Sequence, residues 1–374
     1  MAEVAARRGH HSRLTSEIDE ALQDMLHRGR NRLTTHGSQV THVWDLTVSC
    51  IGGGKMLRPR LLMDVFDALA DDKRETFNQL AEERRRAAIS IAAGVELLHF
   101  SFLIHDDLID DDLTRRGKPN LMGSLLNEIS GAPQTPSDDR EQQLHFVRSV
   151  GLLVGDQMLS AAHQVFARAD LPQDSRLRLL DLLDHTVTES CVGEMKDVGL
   201  SDGIVASGLA EALETTRLKT ATYTFEFPLR AAAILADAPP YVERSLSRVG
   251  RDLGIAFQLQ DDLLSAFGDH TVHGKDAYSD FREGKQTPLI AFARDTPQWP
   301  EIGTRFGAAD FNFQDGTRTS ALLRECGAEE FVRSMIGELF GHVTTIVSTH
   351  IVETHPHLAR CVMDLAGSLE GRAS

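Results

Sequence analysis

The 374-residue chain is long enough to bury one large core or two ordinary ones, and its 41% apolar and 25% charged residues are those of a globular protein. A formal net charge of −16 excludes the basic stripe that nucleic-acid binders use, so no nucleic-acid partner is expected. The cysteines Cys50, Cys191, Cys326 and Cys361 are scattered and form no CxxC pair, which predicts a reducing, cytoplasmic setting and argues against zinc or a disulfide framework.

The start of the chain lacks an apolar h-region, so no secretory signal is expected, and residues 1–12 read as flexible. Apolar residues at three- and four-residue spacing predict helices near 12–35, 58–70, 80–110, 143–167, 174–198, 205–236, 240–267, 286–294, 317–350 and 356–371. The most apolar run, Ile89–Ile104, contains Glu96 and His99 and is short for a bilayer, so no transmembrane segment is expected. Period-two alternation is scarce, and no Asn-Gly or Asp-Gly turn sits between alternating strands. The breaks at Gly52–Gly54, Gly131–Asp139, Gly268–Gly274 and Asp295–Asp315 are polar or rich in glycine and proline. The last, with Trp299, Phe306, Phe311 and Phe313, reads as a packed surface loop. With no solenoid repeat, low-complexity tract or dividing linker, residues 1–374 are expected to form a single all-α domain.

Chemistry concentrates in a few of these stretches. Gly52-Gly53-Gly54-Lys55-Met56-Leu57-Arg58 is a glycine-rich turn leading into a helix, with two cations three residues apart, an arrangement that favours anions. It lacks the spacing of a P-loop, and taken alone it reads equally as an ordinary loop. Next comes a cluster of five aspartates, Asp106, Asp107, Asp110, Asp111 and Asp112, directly after Phe100, Phe102, Leu103 and Ile104. Asp106 and Asp110 share a helix face, where two carboxylates about 4 Å apart would repel by roughly 4 kcal/mol at an effective dielectric near 20. Seen alone the cluster reads as a solvated helix end. After so apolar a run it needs a counter-charge, and an all-oxygen donor set suits Mg2+. Arg115 and Arg116 follow, with the forked donors that phosphate oxygens accept. Together these predict Mg2+ bridging carboxylates to a diphosphate.

Lys219-Thr220 lies among small apolar residues, and a buried lysine facing phosphate fits it better than a surface lysine. Phe257-Gln258-Leu259-Gln260-Asp261-Asp262 repeats the aspartate cluster more weakly, because Ser265 and not an acid stands four residues after Asp261. It is expected to hold one metal through Asp261, with Asp262 acting through water. If the two clusters share a site, their helices face each other across one core. Lys275 and Lys285 follow on a loop and by default are solvated. His99, seven residues before Asp106, lies on the same helix face and by default is a core histidine.

These motifs in this order resemble the trans-isoprenyl diphosphate synthases, the polyprenyl synthetase family, over about residues 50–290. The resemblance implies an all-α helical bundle around a deep central cavity, a homodimer, three Mg2+ ions, and head-to-tail transfer of a prenyl group onto isopentenyl diphosphate. By position, Asp106, Asp110 and Asp261 are implied to bind Mg2+. Arg115, Lys219, Gln258 and Lys275 are implied to hold the allylic diphosphate, with Thr220 beside Lys219; Lys275 and Lys285, downstream of the second cluster, are placed to close over a ligand. Lys55, Arg58, His99 and Arg116 are implied to hold isopentenyl diphosphate, while Asp107 and Asp262 complete the two acidic motifs. Two positions depart from the family pattern: Ser265 replaces an aspartate, and Glu194 replaces a glutamine. Chain length in the family is sensitive to the turn before the first aspartate, here Leu98, Ser101 and Phe102. Small Ser101 lets the tail pass, which favours the C20 product geranylgeranyl diphosphate over farnesyl or longer ones. The other readings are a class I terpene cyclase, an inactive subunit of a heteromeric synthase, and, fitting poorly, a metal-storage helical bundle.

Overall fold

The structure is a computed structural model describing residues 2–51, 56–73, 79–131, 139–206, 208–268 and 278–371. It is all-α apart from one two-stranded ribbon among the described residues, as the periodicity predicts. The chain divides into two compact units, Met1–Met63 with Thr76–Leu180, and Asp64–Glu75 with Asp181–Ser374.

In the first unit, α1 (Ala2–Leu33) takes in residues 2–12 and buries Leu14, Ile18, Leu22 and Leu26, one residue per turn, as an amphipathic helix must. Helix α2 (Ser38–Ile51), missed in the sequence, packs on α1 through Trp44, whose indole N–H donates to Leu26 O at 3.1 Å. After α3 (Leu57–Asp72) comes α4 (Gln79–Ile109), which carries the first aspartates. Helix α4 lies along α6 (Arg140–Ala167), with α5 (Leu121–Gly131) against both α2 and α6. The α4–α6 seam is close because Gly94 faces Val165 and Phe166, and Gly155 faces His105.

One 18-residue stretch within α4 has a mean hydropathy of 1.8, enough by length and composition to span a bilayer, and 72% of that stretch is buried within the protein. Its apolar faces are used as core.

The second unit takes the C-terminal half of α3, α7 (Gln173–Ser201) from Asp181 onward, and α8 (Leu209–Thr216). The expected single helix over 205–236 is in fact three pieces: α8, a ten-residue π-helical stretch Arg217–Glu226, and α9 (Phe227–Leu235) with Pro228 in its first turn. Helix α10 (Pro240–Phe267) carries the second aspartates and packs on the π stretch, on α9 and on α15. Short helices α11 (Ser279–Arg282), α12 (Pro288–Ala293) and α13 (Trp299–Arg305) follow. Residues 295–315 are therefore not simply a loop: Trp299-Pro300 starts α13, proline being suited to a first helical turn. The predicted 317–350 helix is two, α14 (Phe313–Glu325) and α15 (Ala328–His350), broken at Gly327 with φ +84°. The chain closes with α16 (Pro356–Glu370), whose first turn is capped from a distance: Asp72 accepts from the backbone N–H of His357 and Leu358 at 2.8 and 3.0 Å.

Candidate active site

Helix α4 ends at its aspartates. Asp111 adopts φ +56° and Asp112 N–H reaches back to Asp107 O at 2.8 Å, a left-handed stop of the kind usually made by glycine. Asp106, Asp107 and Asp110 thus crowd the end of the helix where its dipole is negative, the least favourable place for carboxylates. Cations answer this. The Arg115 guanidinium forks onto the motif, with Nη2 2.9 Å from Asp106 Oδ2 and 2.6 Å from Asp107 Oδ1, and Nε 2.8 Å from Asp107 Oδ1. Arg148 of α6 pairs with Asp111 at 2.6 Å. Burial pushes the Asp107 carboxyl up against the pull of Arg115, and its carboxylate partners push the Arg115 guanidinium up against burial. Asp106 is half-buried and Asp110 exposed, one turn apart.

Arg115 is placed by a hairpin that the sequence reading missed. Strands β1 (Thr114–Arg115) and β2 (Lys118–Pro119) pair antiparallel, and their turn residues Arg116 and Gly117 have φ +55° and +72°. Both values being positive matches the type I′ hairpin turn, here Arg-Gly in place of the usual Asn-Gly. Asn120 fixes the base: its Nδ2 donates to Asp112 O at 2.7 Å, and its Oδ1 caps α5 by accepting from Gly123 N–H at 2.9 Å. Asparagine directly before the apolar run Leu121–Leu126 was the available signal.

In the same unit, Arg58 in the first turn of α3 and Arg116 in the hairpin bear electrostatically on His99 and on Glu96, which is buried. Burial lowers His99 well below the ordinary histidine value, and Arg58, Arg115 and Arg116 lower it further, so the imidazole is neutral at physiological pH. Glu96 and His99 form a Glu-x-x-His spacing, but di-metal bundles draw such pairs from two helices, and this spacing occurs once in the chain. Lys55 lies outside the described residues.

Upstream of the aspartates, Leu98 is core. Ser101 is fully buried, and its hydroxyl donates to Gly155 O of α6 at 2.9 Å. Phe102 is half-buried. Ser101 is therefore part of the α4–α6 seam, a contact that a helical-wheel reading of α4 alone does not reveal.

In the second unit, the π stretch brings Lys219 and Thr220 between α7 and α10. A π-helix is wider than an α-helix, and three glycines make room for it. A Cβ on Gly193 of α7 would stand 2.4 Å from Lys219 N. On Gly250 and Gly254 of α10 it would stand 2.5 Å from Glu226 Cα and from Ala221 Cα. Lys219 Nζ sits 2.9 Å from Glu194 Oε2 and 2.7 Å from Asp197 Oδ2. Thr220 Oγ1 donates to Gln258 Oε1 at 3.1 Å, and Gln258 Nε2 donates to Asp262 Oδ1 at 3.0 Å. Asp262 is thus buried and held by Gln258, while Asp261 is half-buried and Ser265 buried. Asp197 was missed in the sequence although it stands three residues after Glu194 on one helix face. Lys285 pairs with Glu283 at 2.8 Å, and Lys275 lies outside the described residues.

Among the described residues no three His, Cys, Asp or Glu side chains converge as a cage for a metal. Mg2+ does not need one, because it is typically held by one or two carboxylates plus substrate phosphates. The oxygen-only donors Asp106, half-buried, and Asp110, exposed, fit that ion.

The polyprenyl synthetase family matches residues 43–302. Geranylgeranyl diphosphate synthase of Methanosarcina mazei is 27% identical over 76% of this chain and 76% of its own. Geranylfarnesyl diphosphate synthase of Aeropyrum pernix is 30% identical over 75% of this chain and 79% of its own. The crystal structure of geranylgeranyl pyrophosphate synthase from Corynebacterium glutamicum, complexed with isoprenyl diphosphate and magnesium, superposes with a TM-score of 0.82 at 28% identity. That match covers 94% of this chain and 98% of the other. With motifs, fold and relatives in agreement, the chain belongs to the polyprenyl synthetase family and is a trans-prenyltransferase of the short-chain isoprenyl diphosphate synthase type.

Proposed function

We propose that the enzyme condenses isopentenyl diphosphate with allylic diphosphates to geranylgeranyl diphosphate, C20, using three Mg2+ ions held through Asp106, Asp110 and Asp261. The observation that carries the diphosphate chemistry is the acidic end of α4, where carboxylates at the negative end of a helix dipole are answered by a forked arginine. Bound Mg2+ supplies charge stabilisation on the departing diphosphate. In this reading Arg115, Lys219, Gln258 and Lys275 donate to its oxygens, and Gln258 is held in place between Thr220 and Asp262.

The carbon–oxygen bond of the allylic substrate breaks with its electron pair leaving on diphosphate. The double bond of isopentenyl diphosphate then forms the new carbon–carbon bond, and a proton is lost to the released diphosphate. Lys55, Arg58, Arg116 and neutral His99 hold the second substrate, with His99 acting as a hydrogen-bonding group and not a charge. Exclusion of water protects the cation from capture as an alcohol.

The C20 assignment is supported by the two relatives named as geranylgeranyl diphosphate synthases. The protein works as a homodimer in this proposal. A face of α6 and the end of α4 expose Phe146, Leu152, Leu153 and Ile109 by 46–66%, beside a hollow of about 370 Å3 lined by Leu108, Leu144 and Arg148. An apolar face of that kind suits a second copy. The cysteine pattern supports a cytoplasmic location.

The test is product analysis. Purified protein is incubated with isopentenyl diphosphate, Mg2+ and C5, C10 or C15 primers, and the dephosphorylated products are sized by chromatography. Arrest at C20 from every primer is expected. Arrest at C15 or growth to C25 refutes the chain length, and cyclic hydrocarbon from a primer alone refutes elongation.

A further inference from the structure

Lys219 is held in an unusual way for a phosphate-binding lysine. Its ammonium lies within 3.1 Å of both Glu194 oxygens and 2.7 Å from Asp197 Oδ2. All three side chains are about three-quarters buried or more, with relative exposures of 25%, 20% and 23%. Glu194 and Asp197 are one turn apart on α7, and Gly193 between them and the π stretch lets the Lys219 backbone lie directly on that helix. The socket is therefore fixed from both sides, with the backbone by Gly193 and the ammonium by two acids. Nearby, Arg217 is likewise matched, pairing with Glu189 at 2.7 Å and Glu214 at 3.6 Å.

One carboxylate suffices to neutralise and orient an ammonium. Here two carboxylates, Glu194 and Asp197, share the one ammonium of Lys219. A diphosphate approaching this lysine meets Glu194 as a like charge beside its intended partner. Glutamine at position 194 would still accept the Lys219 N–H through its amide oxygen without that charge.

We propose that Glu194 is a positioning residue that weakens the grip of Lys219 on the allylic-side diphosphate, so that affinity for primer and for released diphosphate is set below what Lys219 alone would give. This rests on the reading that Lys219 contacts the allylic diphosphate. The effect is on binding of anions at Lys219, so isopentenyl diphosphate, held by other residues in that reading, is indifferent to it.

The experiment measures Kd for inorganic diphosphate with Mg2+ by calorimetry, together with KM for the allylic primer and for isopentenyl diphosphate. Wild type, Glu194→Gln, Glu194→Ala and Lys219→Gln are compared, with melting curves as the check on folding. In Glu194→Gln, Kd for diphosphate and KM for the primer are expected to fall about 3- to 10-fold, with KM for isopentenyl diphosphate unchanged. Glu194→Ala shifts Kd in the same direction and provides the test should the glutamine variant not fold. Lys219→Gln is expected to raise both primer KM and diphosphate Kd. If Lys219→Gln weakens diphosphate while both Glu194 variants leave it unchanged or weaker, the role of Glu194 is refuted and the reading of Lys219 stands. If Lys219→Gln changes neither constant, both are refuted.

Discussion

Replacing Gly193 by alanine sets two measurable effects against each other. In an ordinary helix interior, Gly→Ala stabilises by roughly 1 kcal/mol. At Gly193 the added methyl would stand 2.4 Å from Lys219 N and 2.8 Å from Leu218 C and Lys219 Cα. Ordinary contact begins near 3.4 Å, so α7 and the π stretch must part by about 1 Å. The atoms in the way are backbone and cannot rotate aside, and the stretch is pinned behind by Gly250 and Gly254 against α10. Overpacking of this kind costs about 1–3 kcal/mol, which exceeds the helix gain. A net loss of about 1 kcal/mol is expected, read as a lower urea midpoint at unchanged m-value. The same displacement stretches the 2.7–3.1 Å contacts of Lys219 beyond hydrogen-bonding range. A 1 Å misplacement at a site of charge development lowers turnover by up to about 100-fold, so kcat/KM is expected to fall 10- to 100-fold with the primer varied. A Gly193→Ala protein as stable as wild type, with unchanged kinetics, would refute the argument that this glycine seats Lys219.

Arg115→Lys removes the fork that serves Asp106 and the buried Asp107, and is expected to cost about 2 kcal/mol by urea unfolding, with a larger loss of activity than a surface Arg→Lys change. His99 refuses a proton that the unfolded chain accepts near pH 6.5, so stability should fall as pH drops below that value, by at most about 1.4 kcal/mol per pH unit from this group. His99→Gln should flatten that slope between pH 5 and 6.5 in pH-dependent urea melts, and an unchanged slope would mean that other groups produce it. Ser101→Phe drives a ring into the α4–α6 seam at Gly155 and is expected to lower the melting temperature as well as shorten the product, whereas a shorter product at full stability would place Ser101 on open space. Chelation of divalent ions by EDTA should abolish turnover, with recovery on Mg2+ addition.

The acidic and cationic residues were legible in the sequence because their chemistry is conspicuous at short range: carboxylates one turn apart after an apolar run, arginines just beyond, a lysine among small residues. The helical class was legible for the same reason, since a 3.6-residue period repeats within a single segment. Contacts between segments distant in sequence were not legible. Nothing local in Gly193, Gly250 or Gly254 says that a π stretch presses on them, and nothing around Glu194 and Asp197 says that Lys219 lies between them. The hairpin at Arg116-Gly117 was passed over because its turn pair is Arg-Gly, and Ser101 was read from α4 alone, although its partner is a carbonyl of α6. The choice of candidate groups is a property of residue type and spacing. Which donor each of them touches depends on how closely helices approach, which packing fixes and no single segment encodes.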